Sequence, residues 1–138
     1  MFRFRNVRKS LEKAEVGDNI GVLIRGIKKE DITRGNILCK PNSMKVFDKF
    51  ECKVYILTKK EGGRHKGFSN NYKPQFFFRT MNITGAINLP QNIQFVLPGD
   101  NLNFNVNLVN KAPINNGLKF VMREGNLTIG AGVITKLL

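Results

Sequence analysis

The chain has 138 residues, room for one core of the common size or for one domain plus the edge of another. Its apolar fraction of 41% is ordinary for a globular protein, and no apolar run approaches the ~18–20 residues of a bilayer-spanning helix, so a soluble chain without a membrane partner is expected. Lys and Arg outnumber Asp and Glu by 23 to 10, and the resulting +13 favours a polyanion, most simply nucleic acid, because neutralised phosphates release condensed counterions.

A competing reading of the charge is composition drift. Asn, Lys, Ile and Phe are abundant while Trp is absent, as in a chain encoded by an AT-rich genome such as an organellar one. The first ten residues, MFRFRNVRKS, are basic and free of acids in the manner of a transit peptide. They lack the Ser-rich extension of such peptides, so no targeting segment is assigned. Residues 7–15 read as a turn or two of helix, 20–25 as a strand and 28–34 as a charged connection. That segment is too small to close a core alone. Lys40-Pro41-Asn42-Ser43 breaks both periods and marks a domain boundary, dividing the chain into 1–41 and 42–138.

Beyond the boundary the period is two. Strict alternation over 101–108 sets Leu102, Phe104, Val106 and Leu108 against Asn101, Asn103, Asn105 and Asn107, a half-buried strand. Shorter strands are predicted at 50–57, 75–79, 93–97, 118–122 and 128–138. Gly62-Gly63, Pro98-Gly99-Asp100 and Asn115-Asn116-Gly117 separate them, the last reading as a tight hairpin. Many short strands with regular punctuation predict an all-β barrel or sandwich.

The sequence carries no catalytic arrangement. Its single histidine, His65, has no accompanying nucleophile motif, no paired carboxylates stand out, and no G-x-x-x-x-G-K-[ST] loop is present to wrap nucleotide phosphates. Asp100 and Glu124 read as turn formers. Cys39 and Cys52 form neither a disulfide framework nor a metal set; their apolar neighbours suggest two buried thiols in a reducing compartment. The loop Glu61-Gly62-Gly63-Arg64-His65-Lys66-Gly67 has two readings: a phosphate-contact loop whose glycines let the backbone approach a ligand, or an exposed connection with solvated charges. Phe76, Phe77 and Phe78 are open to core packing or to base stacking, and alternation along a strand puts at least one in the core.

Six segments occur in the order seen in elongation factor Tu: GDNIGVLIRGI from Gly17, GGRH from Gly62, PQFFFRT from Pro74, TGAINLP from Thr84, VLPGDN from Val96 and REG-x-x-T-I-GAGVI from Arg123. From about Val7 to Leu138 the chain resembles that family, most closely its bacterial and plastid forms. The resemblance implies an all-β fold: a Greek-key-type β-barrel over 42–138, the family's third domain, preceded in 1–41 by part of its second barrel. It implies that the chain is part of a factor delivering aminoacyl-tRNA to the ribosomal A site in a GTP-dependent manner. GTP and Mg would then belong to a GTPase domain outside these residues, and no catalytic or metal site is expected here.

By motif match the tRNA T-stem contacts fall on Arg64, His65, Gln75, Thr84 and Gly125. Arg and His donate to phosphates, while Gln, Thr and a glycine N–H suit sugar hydroxyls in the shallow RNA minor groove. Asn19 resembles a residue of the family's aminoacyl pocket, and Arg8 and Arg34 match residues near the acceptor end; Asn19 reads equally well as a turn residue after Gly17-Asp18. The sequence departs from the family at Arg5-Asn6, where a Glu-Met pair is usual, or else Met1-Phe2-Arg3 matches the family's Met-Phe-Arg with five residues inserted after it; it departs also at Gly125-Asn126-Leu127, which lacks one cation, and in the loop 66–71. The implied partners are aminoacyl-tRNA, the GTPase domain, elongation factor Ts and the ribosome. The implied compartment is a plastid (chloroplast or apicoplast) stroma, with a mitochondrial matrix or bacterial cytoplasm as alternatives. A truncated structural or protein-interaction remnant without a tRNA role is the other reading of the chain.

Overall fold

Alternation of apolar and polar residues dominates the chain, and strands dominate the computed structural model, which describes residues 3–6 and 9–138. The chain forms two compact units, Met1–Thr33 and Arg34–Leu138. In the first, β1 (Arg3–Asn6), β2 (Lys9–Leu11) and β3 (Gly21–Leu23) make a small antiparallel sheet in the order β2-β1-β3. The helix expected at 7–15 is absent from its described part. Lys9–Leu11 pairs with β1 instead, because so short a helix is marginal in water while the pairing satisfies backbone groups at once. No residue from Lys9 to Thr33 is buried, and a single 3₁₀ turn, Lys29–Asp31, lies in the charged connection.

The second unit holds the core. Its strands are β4 (Phe47–Ile56), β5 (Phe68–Ser69), β6 (Gln75–Phe78), β7 (Met81–Asn88), β8 (Phe95–Val96), β9 (Asn101–Ala112), β10 (Lys119–Glu124) and β11 (Leu127–Leu137). Six of them close an antiparallel barrel in the order β10-β11-β4-β9-β7-β6. β6, β7 and β9 follow one another around the wall and β4 lies beside β9, which is a Greek key. β5 and β8 pair outside the barrel.

Inward residues alternate along each strand: Phe50, Cys52, Val54 and Ile56 on β4, Phe76 and Phe78 on β6, Phe104, Val106 and Leu108 on β9. Phe50, Phe76, Phe78 and Phe120 meet at the centre, with Phe50 edge-on to Phe76 at 6.1 Å and to Phe78 at 5.7 Å. Edge-to-face rings match the negative face of one to the positive rim of the other, and each buried Phe contributes about 1.5–3 kcal/mol from its area alone. Two members of the Phe triplet are therefore core, and Phe77 points outward.

Several sequence expectations change. β7 has no predicted counterpart, because Gly85 interrupts its apolar face. A Cβ there would lie 2.9 Å from both the Phe76 ring and a Val106 methyl, so the neighbours fill the place of the missing side chain. The strand predicted at 75–79 ends at Phe78. Arg79 forms the β6–β7 hairpin at φ +52°, a left-handed conformation uncommon for arginine, and is held by hydrogen bonds to the Pro113 carbonyl (3.0 Å) and Asn115 Oδ1 (2.9 Å). The strand predicted at 93–97 shrinks to Phe95–Val96.

Asn115-Asn116-Gly117 does turn the chain, with the Leu118 N–H donating to the Asn115 carbonyl at 3.2 Å, but β9 and β10 are not neighbours, so it is no hairpin. Cys52 is buried and Cys39 is exposed, against the expectation of two buried thiols. Ile37-Leu38-Cys39 enters no strand, so nothing covers it, and Leu38 is 60% exposed.

Candidate functional site

The loop after β4 is built to hold one arginine. The Glu61 carboxylate accepts hydrogen bonds from the Thr58 N–H (3.1 Å), the Thr58 hydroxyl (2.8 Å) and the Tyr55 hydroxyl (2.5 Å), which fixes the 3₁₀ turn Lys59–Glu61. The Tyr55 donor holds the Glu61 carboxyl below its ordinary pKa, with the Thr58 donors adding to the effect. Gly62 follows at φ +91°, and the chain then passes Leu57 so closely that a Cβ on Gly63 would lie 2.5 Å from the Leu57 carbonyl oxygen.

The N–H groups of Gly62 and Gly63 donate inside the loop, to Lys59 (3.1 Å) and Thr58 (2.9 Å) carbonyls. Both N–H groups are thus engaged within the loop, and the two glycines shape the turn.

Arg64 is the arginine so held. Its Nη1 donates to Glu124 Oε2 at 2.6 Å and to the Tyr72 hydroxyl at 2.7 Å, and its guanidinium lies 5.0 Å from the centre of the Tyr72 ring. Tyr72 in turn donates to Glu124 Oε2 at 2.5 Å and stacks on Phe68 at 4.7 Å. Burial, helped by the hydrogen bond to Glu124, pushes the Tyr72 phenol up to about 12, with Arg64 opposing. Glu124, read from sequence as a turn former, thus anchors the arginine. One Arg64 nitrogen is engaged; the guanidinium has five N–H donors in all, which leaves several for a ligand.

Beside this corner runs a row of polar residues across three barrel strands. Arg123 of β10 is in register with Gln75 of β6, and Gln75 with Thr84 of β7. Neighbouring strands lie about 4.8 Å apart, so the row spans about 10 Å. Arg123 rests over the Phe77 ring at 5.5 Å, and its Nε is buried without a partner. Gly125 makes the β10–β11 hairpin at φ +59°, next to Glu124. His65 and Lys66 are exposed beyond Arg64.

The structure therefore brings together Arg64, Gln75, Thr84 and Gly125, with His65 adjoining, on one edge of the barrel. Asn19 is exposed in the first unit, and Arg34 is exposed at the start of the second. Arg8 lies outside the described residues. Sequence reasoning missed Tyr72, Glu124 and Arg123 as parts of the site. The last two stood in plain view in the REG motif, whereas Tyr72 carried no signal beyond being aromatic.

The fold is a closed Greek-key β-barrel that presents a polar, cationic edge on β6, β7 and β10. Residues 43–138 match the family described as Elongation factor Tu C-terminal domain. The chain belongs to that family. Membership carries a role in translation elongation and, in general terms, interactions with aminoacyl-tRNA and the ribosome.

Proposed function

We propose that this barrel docks the T-stem backbone of aminoacyl-tRNA during its GTP-dependent delivery to the ribosomal A site. Arg64, His65 and Arg123 would meet phosphates, while Gln75, Thr84 and the Gly125 N–H bond sugar hydroxyls. The observation that carries this reading is the Arg123–Gln75–Thr84 register beside the Arg64–Glu124 corner: donors and acceptors about 5 Å apart across a rigid sheet suit the wide RNA minor groove. In this reading GTP and Mg act in a GTPase domain outside these residues, and that domain and elongation factor Ts are protein partners. Asn19, Arg8 and Arg34 attend the acceptor end. A factor of the bacterial or plastid type, working in a plastid stroma, is supported by the ordered motifs and the AT-rich composition.

The test is a salt-dependent titration of aminoacyl-tRNA with the full chain and its Arg64→Ala variant. Loss of one phosphate contact is expected to weaken binding at every salt concentration and to reduce the log–log salt slope by about 0.7–0.9. Equal slopes and affinities for both proteins would remove Arg64 from the interface. An absence of tRNA binding by either would favour a protein-interaction remnant.

A further inference from the structure

A second polar surface lies around the barrel from the T-stem edge, on the start of β10, β11, β4 and the first half of β9. The outward positions of β9 are Asn101, Asn103, Asn105 and Asn107, all exposed. Those of β4 are Lys49, Glu51, Lys53 and Tyr55. Register sets Lys49 beside Asn107, Glu51 beside Asn105 and Lys53 beside Asn103. On the other flank Lys53 faces Val133, Val133 faces Lys119 of β10, and Lys136 faces Glu51. Lys53 and Lys119 are thus about 10 Å apart, and Lys49 and Lys53 about 13 Å.

These four lysines share one carboxylate, Glu51, and none has an acidic group within ion-pair distance among the described residues. The four asparagine amides likewise make no hydrogen bond to a described residue. A depression of about 260 Å³ opens between Glu51, Asn88, Asn103 and Asn105, with Leu89, Pro90 and Phe104 completing its wall. Around the barrel, β4 stands three strands from β6, and Lys119, although it shares β10 with Arg123, lies four residues or about 13 Å along the strand from it, so the two sets of side chains are distinct.

We infer that this face is a second RNA-contact surface: the lysines meet phosphates, and the amides of Asn88, Asn103 and Asn105 with the Glu51 carboxylate, at the rim of the depression, receive ribose 2′-hydroxyls, for which they are donors and acceptors of the right kind. An acidic peptide would offer the lysines carboxylates and the amides backbone groups, but it brings no ribose 2′-hydroxyl. An anionic membrane would need an apolar stripe, whereas Val133, on the β11 part of this face, is flanked by Lys53 and Lys119. The barrel then touches RNA on two sides.

The probe is a labelled RNA duplex of about 16 bp, the span of a double-stranded RNA domain, titrated with the full chain. Lys53→Glu with Lys119→Glu is expected to weaken binding by roughly tenfold or more and to lower the salt slope by about 1.5. Combined with Arg64→Ala, the two losses should multiply, as for separate sites. If only the Arg64 variant is affected, this second surface fails and the T-stem edge stands; if only the lysine variant is affected, the reverse holds. Lys53→Gln with Lys119→Gln removes the charges without reversing them and should shift binding in the same direction, with the thermal melt confirming a folded barrel. Binding a DNA duplex of the same sequence as tightly as RNA would overturn the 2′-hydroxyl reading. Lysine-dependent capture by phosphatidylserine vesicles that RNA cannot displace would overturn the RNA assignment.

Discussion

Arg64 and Glu124 stand sixty positions apart and share a 2.6 Å contact, with Tyr72 completing the group. The pair is partly exposed, so it contributes about 0–1 kcal/mol of stability, and its weight lies in aiming the arginine. Tyr72 carries a pH signature. Its phenol titrates at about 12 in the folded chain against an ordinary value of 10, so its contribution is complete below pH 10 and is lost as pH climbs through 12. Urea unfolding followed from pH 10 upward should show a steeper loss of stability in the native chain than in Tyr72→Phe; parallel curves would sink this account.

The thiols differ in the same local way. Burial raises the Cys52 pKa, and its Sγ–H lies 3.4 Å from the Phe104 carbonyl, whereas Cys39 is exposed. Iodoacetamide should label Cys39 in the native chain and Cys52 only on unfolding. Native labelling of both at one rate would contradict the packing described.

At the scale of elements, β7 explains how a strand escapes detection. Met81, Ile83 and Ile87 face inward at a period of two, but Gly85 breaks the apolar face where Phe76 and Val106 crowd in. Gly85→Ala should therefore cost about 1–3 kcal/mol through overpacking, despite alanine's being the smaller entropic burden in a strand. An unchanged urea midpoint would show that the two neighbours can yield. Hairpin identity was equally hidden. Asn115-Asn116-Gly117 has strong turn chemistry, yet the true tight hairpins are at Arg79-Thr80 and Gly125-Asn126, where the flanking strands pair. Turn residues report a local bend; they do not report which strands will be neighbours.

For the whole molecule, burial is concentrated in the second unit. Among the described residues, the nineteen buried core residues all lie between Phe50 and Ile134, and Lys9 to Thr33 contributes none. β3 is an edge strand of a sheet with strands of only three or four residues. Amide exchange should accordingly be faster throughout β1–β3 than in β4, β7, β9 and β11, since local opening there exposes little apolar surface. Equal protection in the two units would mean that the small sheet has support its own residues do not provide.

Strand content, the outward Asn face of β9, the core role within the Phe triplet and the cationic surplus all follow from residue order, because alternation and turn chemistry are local properties. So does the family, through motifs whose order survives without any fold. Tertiary structure alone decided that β10 lies beside β6 and not β9, that Cys39 is uncovered, and that Glu124 is the anchor of Arg64 and not merely a turn residue. Those outcomes depend on which distant segments close the barrel, and closure is set by the mutual packing of Phe50, Phe76, Phe78 and Phe120, contacts that no short window of sequence contains.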